Sequence, residues 1–400
     1  MIERLQQAIR QAGVDGWLFY DFHNRDPIAY RILGLDFRAF TSRRWFYFVP
    51  AHGEPVRIVS RVEPSRLDAL PGPRRFYLSW TDLRDALSEI VAGRTVAMQY
   101  SEQAEIPSVS LVDAGTIELV RAAGATVVSS ADLIQVFEAC LDRAGYESHL
   151  EASRRLHRIK DEAFARIAEA IRSGETLTEY DVQQFIVRRF EEQGLDCERE
   201  WPIVGVNDHP ADPHFLPTPD NTVPIRPGDT VLVDLWARLR GVPNAVFADI
   251  TWCGYVGDDP PEEYRRIFEV VCRARDAAVA FVRARVEASQ PCRGYEVDDA
   301  CRAVVREAGY ADHFIHRTGH SIGTAVHGNG VNMDNLETCD RRLLMPGVLF
   351  SVEPGIYLPG RMAVRTEIDV FLHADRTVEV TGPVQTDLIL IPTTAPAARG

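Results

Sequence analysis

Five residues in the C-terminal half of the chain, Asp234, Asp249, His320, Glu353 and Glu367, are of types that ligate divalent cations. Four carboxylates and one imidazole are what two such cations need if they are to share a water. Two of the carboxylates can bridge, and the remaining groups cap each side. A water held between two cations loses a proton near neutral pH and becomes a nucleophile. An oxygen-rich set with one nitrogen suits Mn²⁺, Co²⁺ or Zn²⁺ better than Cu⁺. Taken singly, each acid is as readily a salt-bridged core residue as a ligand.

The local settings strengthen the case. Asp234 in DTVLVDLW, Asp249 in VFADITW and Glu353 in VLFSVEPGIY each stand in an apolar strand pattern. An acid buried there needs a partner or a metal. Thr251 shares the face of Asp249, and Pro354 marks a strand end after Glu353. In AVRTEIDVF, alternation puts Arg365, Glu367 and Asp369 on one side and Val364, Thr366, Ile368 and Val370 on the other. Such a charged triplet is ordinarily a solvated face. The alternative is that Arg365 orients a metal-bound Glu367. The stretch HRTGHSIGTAVHGNG places His316, His320 and His327 among glycines, which let backbone approach a ligand closely. His209 and His214 lie in a second, proline-rich stretch.

The elements that must position these groups fall into two patterns. Up to about Leu141, helices alternate with short apolar strands (GWLFYDF, WFYFVP, PVRIVS, RTVAMQY), which predicts a small α/β domain with a mixed or parallel sheet. The polar stretch Arg143 to Ser148 reads as a connection, and the boundary is set at 145/146. From Tyr146 to Gly194 the pattern is helical, interrupted after Ser173-Gly174, with Thr178 and Asp181 suited to cap the next helix. From Trp201 to Gly228 prolines are so dense that no regular element is expected. Two strands carrying Asp234 and Asp249 follow, then a long amphipathic helix after Pro260-Pro261, a shorter one, and a β-rich end. This second domain is expected to be α+β.

The chain has 400 residues, enough for two cores. Its net charge of −14 argues against a phosphate backbone as partner. Seven scattered cysteines without a CxxC pair read as reduced thiols in a cytoplasmic protein. The N-terminal MIERLQQAIRQAG has a helical pattern without the apolar core of a signal peptide, and no run approaches the ~18 apolar residues of a membrane span.

In order, DPHF, VLVDLWA, ADITW, HRTGHSIG, VHGNG, SVEPGIY and VRTEID resemble the metallopeptidase family that includes Xaa-Pro dipeptidase (prolidase), aminopeptidase P, creatinase and methionine aminopeptidase. The resemblance covers the chain from about Tyr146 onward. It implies a pita-bread catalytic domain over residues 146–400, preceded by a creatinase-like domain over 1–145. By position, Asp234, Asp249, His320, Glu353 and Glu367 match the ligands of two divalent ions per subunit, with Asp249 and Glu367 bridging. Manganese is the first expectation for the metal, with cobalt or zinc as alternatives. His214 and His327 match the histidines that hold the scissile carbonyl and the tetrahedral intermediate. Glu353 would move the proton of the attacking water, Arg365 would support the ligands, and His316 would have a supporting role. The sequence departs from the family in four places. Asp234 and Asp249 are 15 positions apart, the extra residues falling in ARLRGVPNA; Val246 stands where members carry a tyrosine; DITW replaces DITR; and Gly328 follows His327 in place of glutamate.

The resemblance implies hydrolysis of Xaa-Pro dipeptides by a cytoplasmic homodimer, with a small peptide as substrate and neither nucleic acid nor membrane as partner. The alternative is an aminopeptidase P acting on longer Xaa-Pro peptides. A dipeptidase must cap the substrate's carboxylate. Arg38, Arg43, Arg44 and His209 are the candidates. Creatinase-like chemistry without metal and a non-catalytic binding module would both have lost ligands, and all five are present. A methionine aminopeptidase would not need the N-terminal domain.

Overall fold

A computed structural model describes residues 1–393. The chain divides into two compact units, Met1–Glu138 and Ala139–Gly400.

The first unit contains α1 (Ile2–Gln11), β1 (Gly16–Asp21), α2 (Pro27–Leu33), β2 (Trp45–Pro50), β3 (Val56–Ser60), β4 (Arg74–Tyr77), α3 (Trp80–Val91), β5 (Thr95–Met98), α4 (Ala114–Ala122), β6 (Thr126–Ser129) and α5 (Ala131–Glu138). Its six strands form one sheet in the order β4-β3-β2-β1-β5-β6. Pairing is antiparallel from β1 through β2 to β3 and parallel elsewhere, so the sheet is mixed. Both β1 and β2 are buried at every position, because helices cover both faces of the sheet.

The second unit opens with α6 (Arg143–Ser173). The Asp142 side chain caps it by accepting the Gly145 N–H at 2.8 Å. Residues 143–148, expected as a connection, are therefore its first turns. Charged side chains disguise an exposed helix start whose cap precedes them. Gly174, left-handed at φ 72°, ends α6, and Thr178 with Asp181 forms a reciprocal cap at the start of α7 (Glu179–Glu192). After β7 (Leu195–Asp196), the proline-rich stretch contains β8 (Ile203–Val206) and a 3₁₀ turn at His209–Ala211. Regular structure survives there because β8 lies in the interval between Pro202 and Pro210, where every residue keeps its N–H. Then come β9 (Thr230–Leu239), β10 (Ala248–Val256), α8 (Glu262–Glu287), α9 (Gly294–Glu307), β11 (Ser321–Ile322), β12 (Leu349–Val352), β13 (Gly355–Leu358), β14 (Met362–Arg365), β15 (Ile368–Leu372), β16 (Val378–Val380) and β17 (Ile389–Ile391).

These strands form a sheet β17-β10-β9-β7 with β8 also on β9, a sheet β11-β12-β15-β16, and the hairpin β13-β14. Helices α6 and α7 pack on the first sheet, and α8 and α9 on the second sheet and hairpin, giving two apolar clusters. The two long C-terminal strand patterns each break in two. SVEPGIY parts at Glu353-Pro354 and VRTEID at Thr366-Glu367, and the halves join different sheets. At such a break the backbone leaves its ladder, so a carboxylate can turn inward.

Candidate active site

Asp234 and Asp249 sit on neighbouring antiparallel strands. In the register, Asp234 faces Thr251 and Asp249 faces Trp236. The long connection between them is absorbed outside the strands, so both acids remain on β9 and β10. Glu353 follows β12, and Glu367 lies between β14 and β15. His320 immediately precedes β11, whose partner β12 leads into Glu353. The His320 N–H donates to Ser351 Oγ at 2.9 Å, and the Glu353 N–H to the Thr318 carbonyl at 2.7 Å. Gly319 permits this approach, since a Cβ there would stand 1.9 Å from the Ser351 carbonyl oxygen.

The five residues line one cavity of about 500 Å³, together with His214, His316, Arg317, His327 and Arg365. One ligand-type atom each from Asp249, His320 and Glu367 lies within 4.8 Å of the others. His320 Nε2 is 3.7 Å from Asp249 Oδ2 and 3.4 Å from Glu353 Oε1. Donation from His320 Nδ1 to the Ser321 carbonyl at 3.2 Å would leave the Nε2 lone pair facing these acids. Burial holds His320 well below its usual basicity.

Asp234 Oδ1, Asp249 Oδ1 and Glu367 Oε1 are buried without a hydrogen-bond partner. Burial raises all three carboxyls above the usual range, and Asp249 is pushed further by Glu367 and Asp234. Burying like charges together is expensive unless cations offset them. The donor set and its orphaned oxygens fit divalent metal.

The Arg365-Glu367-Asp369 triplet is not a solvated face, for all three side chains are buried. The Arg365 guanidinium donates to Asp234 Oδ2, to Tyr357 Oη at 3.0 Å and to Thr251 Oγ1 at 3.3 Å. Thr251 donates in turn to Glu367 Oε2 at 2.7 Å. Asp369 accepts the Asp249 N–H at 3.0 Å. This network fixes one oxygen of each of two acids and leaves the other directed elsewhere.

Glu353 accepts from Ser351 Oγ at 3.2 Å. Burial raises its carboxyl to about 7, with Arg365 opposing. His327 lies 4.4 Å from His320, ring centre to ring centre, and burial lowers it to about 4, helped by the charges of Arg317 and His214. His214 is exposed at the cavity mouth. His316 bonds Tyr357 Oη at 2.6 Å, joining the Arg365 network from the far side. His209 does not line this cavity. It pairs with the fully buried Glu179 at 2.9 Å, which also accepts the N–H groups of Val206 and Val223. Arg38, Arg43 and Arg44 belong to the first unit.

Val246 and Phe247 are buried in an apolar cluster with Ile322, Val326 and Leu349. A Cβ at Gly328 would meet Ser321 Oγ at 2.9 Å, so this loop has little room for a larger residue.

A model of metallopeptidase family M24 matches residues 151–374, the span that holds every residue lining the cavity. The chain belongs to this family. It is 30% identical over 351 residues to the probable dipeptidase PepE of Mycobacterium tuberculosis, covering 86% of this chain and 84% of that one. The Xaa-Pro dipeptidase of Lactobacillus helveticus is 30% identical over 230 residues, 55% of this chain and 57% of its own. Among solved structures, dipeptidase PepE from Mycobacterium ulcerans aligns with a TM-score of 0.64 at 24% identity over 98% of this chain and 97% of that one. The M24 metallopeptidase has the pita-bread fold expected from its motifs. Among the described residues, no helix is long and apolar enough to cross a membrane.

Sequence reasoning missed Tyr357, Ser351 and Arg317. A hydroxyl in the otherwise apolar GIYL was the available signal for Tyr357, since a buried phenol needs a partner. Ser351 and Arg317 carried none, because their roles depend on neighbours distant in sequence.

Proposed function

We propose that this M24 metallopeptidase hydrolyses Xaa-Pro dipeptides and releases proline. The observation that carries the reading is the convergence of Asp249, His320 and Glu367 within 4.8 Å, with orphaned carboxylate oxygens, in a cavity that also holds Glu353, His214 and His327. Asp234, Asp249, His320, Glu353 and Glu367 would hold two divalent cations. Bound there, the cations supply Lewis acidity that brings a water's pKa toward neutrality and polarises the scissile carbonyl.

The chain's own groups do the rest. Glu353 lines the cavity with its Oε1 3.4 Å from His320 Nε2, and is placed to take a proton from the attacking water and return it to the leaving proline nitrogen. Neutral His327 and the exposed His214 would donate to the oxygen on which charge develops. Arg365 holds Asp234 and, through Thr251, Glu367 in fixed orientations, so the ligands need not reorganise during turnover. Trp236, Ile203, Ile315 and Val326 give the cavity apolar walls that suit a pyrrolidine ring. The name of the Lactobacillus relative supports the Xaa-Pro preference, and those of the mycobacterial relatives support a dipeptide. Manganese is the first metal to test, with a homodimer in the cytoplasm as the expected context.

The test is hydrolysis of an Xaa-Pro dipeptide, read as free proline, of an Xaa-Pro-Yaa tripeptide, read as the free first residue, and of creatine, read as urea, using metal-stripped protein with Mn²⁺, Co²⁺ or Zn²⁺ restored. Metal-dependent cleavage of the dipeptide alone is expected. Removal of the first residue from the tripeptide would make the enzyme an aminopeptidase P. No turnover with any metal would overturn the reading.

A further inference from the structure

We propose that Arg317 recognises a carboxylate of the substrate; the inference rests on the peptidase reading above. Two arginines line the cavity, and they are differently employed. Arg365 spends its guanidinium on Asp234, Tyr357 and Thr251. Arg317 uses only its backbone: its N–H donates to Glu337 Oε1 at 3.2 Å, and its carbonyl faces His316 Nδ1 at 2.7 Å. Among the described residues, no acid pairs with its guanidinium.

The backbone around it is held firmly. Thr318 donates through N and Oγ1 to the buried Asp298 at 2.9 and 2.6 Å, and Asp298 is itself paired with Arg302. Arg317 is thus a half-buried cation on a fixed backbone, three residues before His320. A structural arginine in this position would be expected to close on a neighbouring acid. One left open at the wall of a cavity of about 500 Å³ matches a planar carboxylate.

A dipeptide offers that group from two sources, the C-terminus or an acidic first side chain. The experiment compares kcat/KM of wild type, R317K and R317Q on Leu-Pro, Leu-Pro amide and Asp-Pro. A charge-assisted pair predicts a preference of roughly 10- to 100-fold for the substrate that supplies the carboxylate. If the C-terminus supplies it, wild type favours Leu-Pro over its amide. R317Q erases that ratio, mainly through KM, and leaves the amide nearly unchanged. R317K restores part of the ratio. If the side chain supplies it, the ratio of Asp-Pro to Leu-Pro collapses instead. Equal losses on all three substrates, or unchanged ratios, overturn the proposal, since a merely structural arginine moves substrates together. Calorimetric titration of the same three compounds into E353Q and E353Q/R317Q proteins gives the ratios without turnover. Failure of the peptidase reading, seen as no hydrolysis by wild type, is therefore separable from failure of the arginine's role.

Discussion

Asp249 illustrates how one residue can weaken a fold and make a site. Its carboxylate is buried near Glu367 and Asp234, and burial together with their charges raises its pKa well above the ordinary value. A raised carboxyl pKa means the folded state binds a proton more tightly than the unfolded chain. Stability from this group is greatest below the unfolded pKa and is lost as pH rises through the folded one. Asp249→Asn should therefore raise the melting temperature of metal-free protein at pH 8 while abolishing the rise that added Mn²⁺ gives the wild type. Scanning calorimetry with and without metal reads both; a lower metal-free melting temperature would sink the charge-repulsion argument. At His327, removal of a donor to the developing oxyanion should cost roughly 10²- to 10³-fold in kcat. His327→Ala, assayed at saturating metal and substrate, checks this, and a loss confined to KM would reassign the residue to substrate binding.

At the scale of elements, the site depends on strand breaks and close backbone approaches. Glu353 and Glu367 each lie where a strand pattern changes sheet, and His320 is set by the pairing of β11 with β12. Gly319 makes that pairing possible. Gly319→Ala would place a methyl 1.9 Å from the Ser351 carbonyl oxygen, where rigid backbone must move. The expected destabilisation is about 1–3 kcal/mol by urea titration, with weakened metal affinity because His320 shifts too. Normal metal affinity in a destabilised variant would show that the ligand is positioned independently of the strand.

At the scale of the molecule, the second unit carries buried neutral histidines that make it sensitive to acid. His149 bonds the Phe247 carbonyl at 2.8 Å and Thr381 Oγ1 at 2.6 Å, and His157 packs edge-on to Trp252. Burial lowers each to about 4 from 6.5. As pH falls below 6.5 the unfolded chain takes up protons that the folded unit refuses, so stability drops until about pH 4. The limit is about 3 kcal/mol for each ring. Urea unfolding between pH 7 and 4.5 should show this loss, and His149→Gln should flatten the dependence while lowering stability at pH 7. A wild-type stability flat across that range would refute the assignment.

The sequence by itself picked out Asp234, Asp249, Glu353, Glu367 and the histidines of the cavity, though not Glu337, and most of the elements carrying them, because apolar periodicity, caps and glycines act over a few residues. It could also place Asp234 and Asp249 on strands despite their long separation, since the extra residues are turn formers. Only the tertiary structure decided which charges are buried. Arg365, Glu367 and Asp369 alternate like a solvated strand face, yet a second sheet and the carboxylates of β9 and β10 enclose them. It likewise decided that Arg365 is spent on Asp234 while, among the described residues, no acid pairs with the Arg317 guanidinium, and that His209 belongs to Glu179. Those outcomes depend on partners far away in the chain (131 positions for Arg365 and Asp234), and local pattern holds no record of what packs against it.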